Sequence, residues 1–188
     1  MAKLTAEELA IKYNDMMAYE KEAFASGYKM VAGIDEAGRG PLAGPVVVAA
    51  CILDPLKPIL GLDDSKKLSE KKREQLFVEI KEKAIAYVVI RKEADVIDSI
   101  NILEATKQAM RECALGLKVK PDMLLIDAVK LDGVDIPVNP IIKGDAKSNS
   151  IAAASILAKV YRDDLLIELD KEYPQYGWDT NVGYGSQK

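Results

Sequence analysis

The stretch from Val31 to Leu53, VAGIDEAGRGPLAGPVVVAACIL, narrows the fold more than any other part of the chain. Two apolar, β-branched runs, Met30 to Ile34 and Val46 to Leu53, are bounded by Gly and Pro and are expected to be strands. The first leads into adjacent carboxylates, Asp35 and Glu36. A Gly38-Arg39-Gly40 turn follows, and then Pro41, Gly44 and Pro45 lead into the second run. Adjacent strand residues point to opposite faces, but a turn at a strand end can bring both carboxylates to one ion. Paired acids beside glycine amides that can approach a phosphate or a ribose point to metal-assisted phosphodiester chemistry. An exposed acidic turn is the competing explanation, and the acid pair alone scarcely favours chemistry over it.

The rest of the chain supplies alternating helices and strands. Thr5 to Tyr19 has amphipathic helical spacing, with a capping box available between Thr5 and Glu8. Ser69 to Ala84 forms a helix capped by Ser69, and Tyr87 to Ile90 a strand. Asp95 to Ser99 is a helical turn, and Asn101 to Leu117 a helix capped by Asn101 that stops before Pro121. Met123 to Ile126 is a short buried strand ending at Asp127, and Ile136 to Ile142 an extended return strand. Ser148 to Tyr173 is the longest helix, packed through Ile151, Ala154, Ser155 and Ala158 and ended by Pro174. A central mixed sheet flanked by helices follows, an α/β fold in one domain over residues 1–188, with residues 1–27 as an N-terminal helical extension.

Composition removes several chemistries. The 188 residues contain no histidine, which excludes Ser-His-Asp and Cys-His catalysis and most transition-metal sites. Acid–base work falls to carboxylates, lysines, tyrosines or water on a metal. The formal charge of −4 excludes a generally basic nucleic-acid coat, so a local basic face would have to do any such binding. Acids gathered around divalent cations reconcile the two, because the metals reverse the local sign. Cys51 and Cys113, both in apolar runs and outside any CxxC pair, are expected to be buried free thiols of a cytoplasmic protein. No apolar run is long enough to span a membrane.

Other residues join the acid pair with alternatives open. Asp127 is expected at a strand end, where ligands bind in open α/β sheets, but a solvated terminal aspartate explains it equally well. Asp145, in Lys143-Gly144-Asp145-Ala146-Lys147-Ser148, lies where a helix cap is the ordinary role, and spacing alone favours the cap. Lys143 and Lys147 are candidates for phosphates flanking a metal-bound Asp145. Asp64-Ser65-Lys66-Lys67, with Lys71, Lys72 and Arg73, is a basic cluster whose commoner reading is a solvated helix start. The loop position of Lys66 and Lys67 slightly favours phosphate contact, and Lys159 and Arg162 could extend a basic face. Tyr176, Trp178 and Tyr184 are candidates for stacking on bases or sugars, with packing against the core as the alternative, which is favoured for Trp178.

Taken together, DEAGRGPLAGP, DDSKKLS, LLIDA, KGDAKSNSIAAASILAKVYRD and VGYG, in this order, resemble bacterial ribonuclease HII from about Tyr19 to Tyr184. The resemblance implies a ribonuclease-H-like fold with a mixed five-stranded sheet. It also implies a carboxylate site for two Mg²⁺ or Mn²⁺ ions, held by Asp35, Glu36, Asp127 and Asp145. Gly38, Arg39 and Gly40 would read the ribose 2′-hydroxyl, and Tyr184 would pack on the sugar at a ribonucleotide–deoxyribonucleotide junction. Ser65, Lys66, Lys143, Lys147 and Ser148 would complete substrate binding, and Asp163 matches a further polar position. The implied partners are RNA·DNA hybrids and ribonucleotide-containing duplex DNA, cut by a monomer 5′ to the ribonucleotide. Another ribonuclease-H-like nuclease, or a hybrid-binding module with little activity, are the competing readings. The family continues past its GY motif, so this sequence, ending at Lys188, is expected to be C-terminally shortened, with 175–188 a remnant of that region.

Overall fold

The computed structural model describes residues 3–38 and 44–172. Five strands make one mixed sheet: β1 (Val31–Ala37), β2 (Val46–Ile52), β3 (Ala86–Lys92), β4 (Met123–Asp127) and β5 (Val138–Ile141). Their spatial order is β3-β2-β1-β4-β5. The β1–β2 and β2–β3 pairs are antiparallel, and the β1–β4 and β4–β5 pairs are parallel. Pro140 is accommodated in β5 because that strand lies at the sheet edge.

Helices cover both faces, which is why every residue of β2 is buried. On one face α5 (Ile102–Gly116) packs Ala109, Met110 and Cys113 against Ile34, Val48 and Ala50. On the other, α6 (Asn149–Glu172) and α3 (Glu70–Lys83) cover Val47, Ala49 and Cys51, with α6 contributing Ala152, Ala153 and Ile156. The alanines let α6 lie close to the sheet. Closest of all is Gly33 in β1, where a Cβ would fall 2.1 Å from the carbonyl carbon of Ser150. Only glycine permits that approach. Cys51 and Cys113 are free and buried, as expected.

The expected helix caps form. The Ser69 side chain accepts from the Lys72 amide, and Asn101 Oδ1 from the Glu104 amide. α4 (Ala94–Ile100) corresponds to the expected short turn. Several strand ends move by one or two residues, and three differences have a visible cause. The helix expected from Thr5 to Tyr19 keeps its Thr5–Glu8 capping box but divides into α1 (Ala6–Asp15) and α2 (Ala18–Ala25). The break falls at Met16 and Met17, both buried, where the Met16 carbonyl accepts from the Asn149 amide of α6. β1 runs on to Ala37, because its pairing with β2 continues through Ala37 and Val47. Lys66 and Lys67 lie in a 3₁₀ turn, Ser65–Lys67, in which the Asp64 carboxylate accepts from the Lys66 amide. No helix among the described residues is long and apolar enough to cross a membrane.

Candidate metal centre

Parallel pairing brings the acids together. Ile34 of β1 stands opposite Ile126 of β4, so the next residues, Asp35 and Asp127, emerge side by side. Asp127 in turn pairs with Ile141 of β5, and the chain leaving β5 makes a 3₁₀ turn, Gly144–Ala146, that carries Asp145. Asp35, Asp127 and Asp145 each offer a carboxylate oxygen within 4.8 Å of the others. All three sit at the carboxyl ends of the parallel strands, where open α/β sheets bind ligands. With Glu36, Lys66 and Ser65 they line a cavity of about 100 Å³.

Strand alternation alone would turn Glu36 away from Asp35, yet both line the cavity at the strand end. The charge of Glu36 and its side-chain hydrogen bond act on Asp35, and its amide donates to Asp35 Oδ1 at 2.8 Å. Asp35 is only 3% exposed. Burial above all, and then the charges of Glu36, Asp127 and Asp145, hold its carboxyl well above the usual range. Burial also raises Asp127, partly offset by the Gly144 amide, which donates to its Oδ1 at 3.1 Å. Asp145 is pushed up to about 7, first by burial and then by Asp127 and Asp64. Lys66 opposes both shifts. Hard oxygen donors that repel one another in a half-closed cavity fit a divalent cation such as Mg²⁺ or Mn²⁺.

A pH test follows from Asp145. Its carboxyl binds a proton more tightly in the folded chain than when unfolded, so metal-free stability is greatest below about pH 4 for this group and falls as pH rises through about 7. In EDTA, the thermal midpoint of the wild type is expected to drop more between pH 5 and pH 8 than that of Asp145→Asn. Parallel curves for the two proteins would contradict this.

Asp145 does not cap the long helix, as spacing alone favoured. Ser148 does: its hydroxyl oxygen accepts from the Ile151 amide at 3.2 Å. Ser148, also expected to bind substrate, is fully buried and donates its hydroxyl proton to Glu20. Lys159 and Arg162 do not form a basic face either. Lys159 is mostly buried and pairs with Asp163 at 3.0 Å, while Arg162 is fully buried and donates from Nε to the Pro45 carbonyl. Arg73 donates to the carbonyls of Ser65 and Leu68 and so braces the turn below Lys66.

Ser65 lines the cavity but is buried, and its Oγ accepts from Ser155. Lys66, Lys143 and Lys147 are exposed, the last two flanking the Asp145 turn. Gly38 closes the strand at φ +94°, and a Cβ there would fall 2.1 Å from Arg162 Nε. Arg39, Gly40, Tyr176, Trp178 and Tyr184 lie outside the described residues. Two acids escaped sequence reasoning. Asp64 was read within a basic run, yet its carboxyl is hydrogen-bonded to Asp145. Glu20 carries no local signal at all, since its partners lie on α6.

Sheet order and acid placement define the ribonuclease-H-like class, and solved structures agree. Ribonuclease H2 from Pyrococcus horikoshii OT3 matches with a TM-score of 0.71 and 29% identity, covering 85% of this chain and 82% of that one. The PCNA:RNase HII complex from Archaeoglobus fulgidus gives 0.69 and 30%, over 85% of this chain and 83% of that one. The ribonuclease HII family model matches residues 32–188. The ribonuclease HII of Acetivibrio thermocellus is 56% identical over 184 residues, covering 98% of this chain and 72% of the relative. That of Desulfitobacterium hafniense (strain DSM 10664 / DCB-2) is 58% identical over 173 residues, covering 92% and 66%. This chain belongs to the ribonuclease HII family, whose members are ribonuclease H enzymes. It spans 66–72% of the length of these two relatives.

Proposed function

We propose that the chain is a metal-dependent endoribonuclease that hydrolyses the RNA strand of RNA·DNA hybrids and incises 5′ to ribonucleotides embedded in duplex DNA. The observation that carries this is the convergence of Asp35, Asp127 and Asp145 within 4.8 Å at the parallel end of the sheet. Together with Glu36 they hold two Mg²⁺ or Mn²⁺ ions. When bound, such ions lower the pKa of an attacking water and stabilise charge on the departing 3′-oxygen. The protein's own part is placement. Buried Asp35 fixes the floor of the site, and the Gly144 amide orients Asp127. Exposed Lys66, Lys143 and Lys147 contact phosphates on either side of the acids.

Gly38, with Arg39 and Gly40, reads the ribose 2′-hydroxyl, the group that distinguishes RNA from DNA. Tyr184 packs on the sugar at the junction. The products carry 3′-hydroxyl and 5′-phosphate ends. The chain acts in the cytoplasm, as a monomer and as one catalytic domain. A labelled DNA duplex containing one ribonucleotide, incubated with Mg²⁺ or Mn²⁺, is expected to be cut once, 5′ to that residue, while the all-DNA duplex stays intact. Binding without cleavage, or equal cutting of both duplexes, would overturn the proposal.

A further inference from the structure

Two residues separate the Asp145 turn from the first turn of α6, whose leading amides lack partners within the helix. The N-terminal helices provide two of them. The Asn149 amide donates to the Met16 carbonyl at 2.9 Å, and Asn149 Nδ2 to the Tyr13 carbonyl at 3.0 Å. The Ser150 amide donates to Glu20 Oε2 at 2.9 Å, and the Ser148 hydroxyl donates to the same oxygen at 2.7 Å. Glu20 is 2% exposed, although it lies in the N-terminal extension and 128 residues from Ser148. Burying a carboxylate costs stability unless its charge is met, and here it faces the positive end of a long helix.

The hydrogen bonds continue from Glu20 to the acids. The Ser148 amide donates to the Gly144 carbonyl at 2.8 Å, and the Gly144 amide donates to Asp127 Oδ1 at 3.1 Å. Gly144 packs between the two: a Cβ there would fall 2.6 Å from Ile151 Cδ1 on α6 and 3.6 Å from the Asp127 Cα. Displacing the first turn of α6 therefore displaces the turn that carries Asp145, and with it the donor that orients Asp127.

We propose that Glu20 is a positioning residue for the metal centre, holding the Gly144–Ala146 turn in register with Asp127 through Ser148. This makes α1 and α2 part of the site's support, and it rests on the metal-centre reading above. Residues that orient metal ligands typically change metal affinity by about 10–100-fold when removed.

The test measures Mn²⁺ binding to the substrate-free protein by electron paramagnetic resonance, with circular dichroism to fix a temperature at which each variant is folded. Glu20→Ala is expected to raise the Mn²⁺ dissociation constant about tenfold and to lower kcat at limiting metal, with KM for the duplex within about twofold at saturating metal. Glu20→Gln keeps an oxygen for both donors and is expected to restore Mn²⁺ affinity. Thr5→Ala, which removes the α1 capping box, is the control for lost stability alone.

Wild-type Mn²⁺ affinity in folded Glu20→Ala, or an equal loss of affinity in Thr5→Ala, would overturn the proposal. If Glu20→Ala does not fold, Glu20→Asp carries the test, being one methylene too short to meet both donors, and unchanged affinity there would overturn it too. Failure of the wild type itself to bind Mn²⁺ would instead overturn the metal centre.

Discussion

Asp35→Asn is expected to reduce cleavage of a ribonucleotide-containing duplex by at least about 10³-fold while the chain remains folded. Asp35 sits where the three carboxylates meet, and asparagine keeps its shape while removing its charge. Burial and three neighbouring acids already strain the ionised form, so the metal-free variant should melt no lower than the wild type at pH 8. Loss of activity with an unchanged or higher melting temperature separates a lost metal ligand from a lost fold. Single-turnover cleavage at saturating Mn²⁺ reads the first quantity and calorimetry in EDTA the second. Turnover near that of the wild type would remove Asp35 from the site.

The largest effect on stability is expected from Gly33→Ala, at about 3 kcal/mol or more. An added Cβ would lie 2.1 Å from Ser150 C, 2.3 Å from Ser150 O and 2.4 Å from the Ile151 nitrogen. All three are backbone atoms of one helical turn, so no change of rotamer relieves the overlap, and α6 must lift from β1 as a body. Urea unfolding of the two proteins measures the difference, and a midpoint shift equivalent to less than about 0.5 kcal/mol would show that α6 gives way freely.

What could be read in the sequence was whatever local chemistry determines. Ser69 and Asn101 announce their helices because a capping side chain lies three residues from the amide it meets. The strands followed from β-branched runs between Gly and Pro. Asp35, Glu36, Asp127 and Asp145 stand out as candidates from their positions, but only the family resemblance separates them from turn acids and caps. Asp145 shows why. A cap is decided by which carboxylate or hydroxyl reaches the first amides of α6, and Ser148 and Glu20 take that place. The partners of Glu20 come from the far end of the chain, and such pairs leave no periodic trace. The break at Met16 and Met17 was hidden for the same reason, since it is set by an amide of α6. Lys159 and Arg162 misled because a charged residue on a helix is ordinarily solvated, whereas these two serve as struts inside the molecule.

The parallel pairing of β1 with β4 also has a temporal side. β1 ends at Ala37 and β4 begins at Met123, so their alignment waits on closure of the long intervening segment, and Asp145 enters only after β5 has joined. During synthesis from the N-terminus, the first two acids emerge early yet have nothing to share an ion with. On the proposed reading of the acids as metal ligands, a refolding chain is expected to take up Mn²⁺ only once β5 and α6 have docked, so that metal uptake times completion of the sheet.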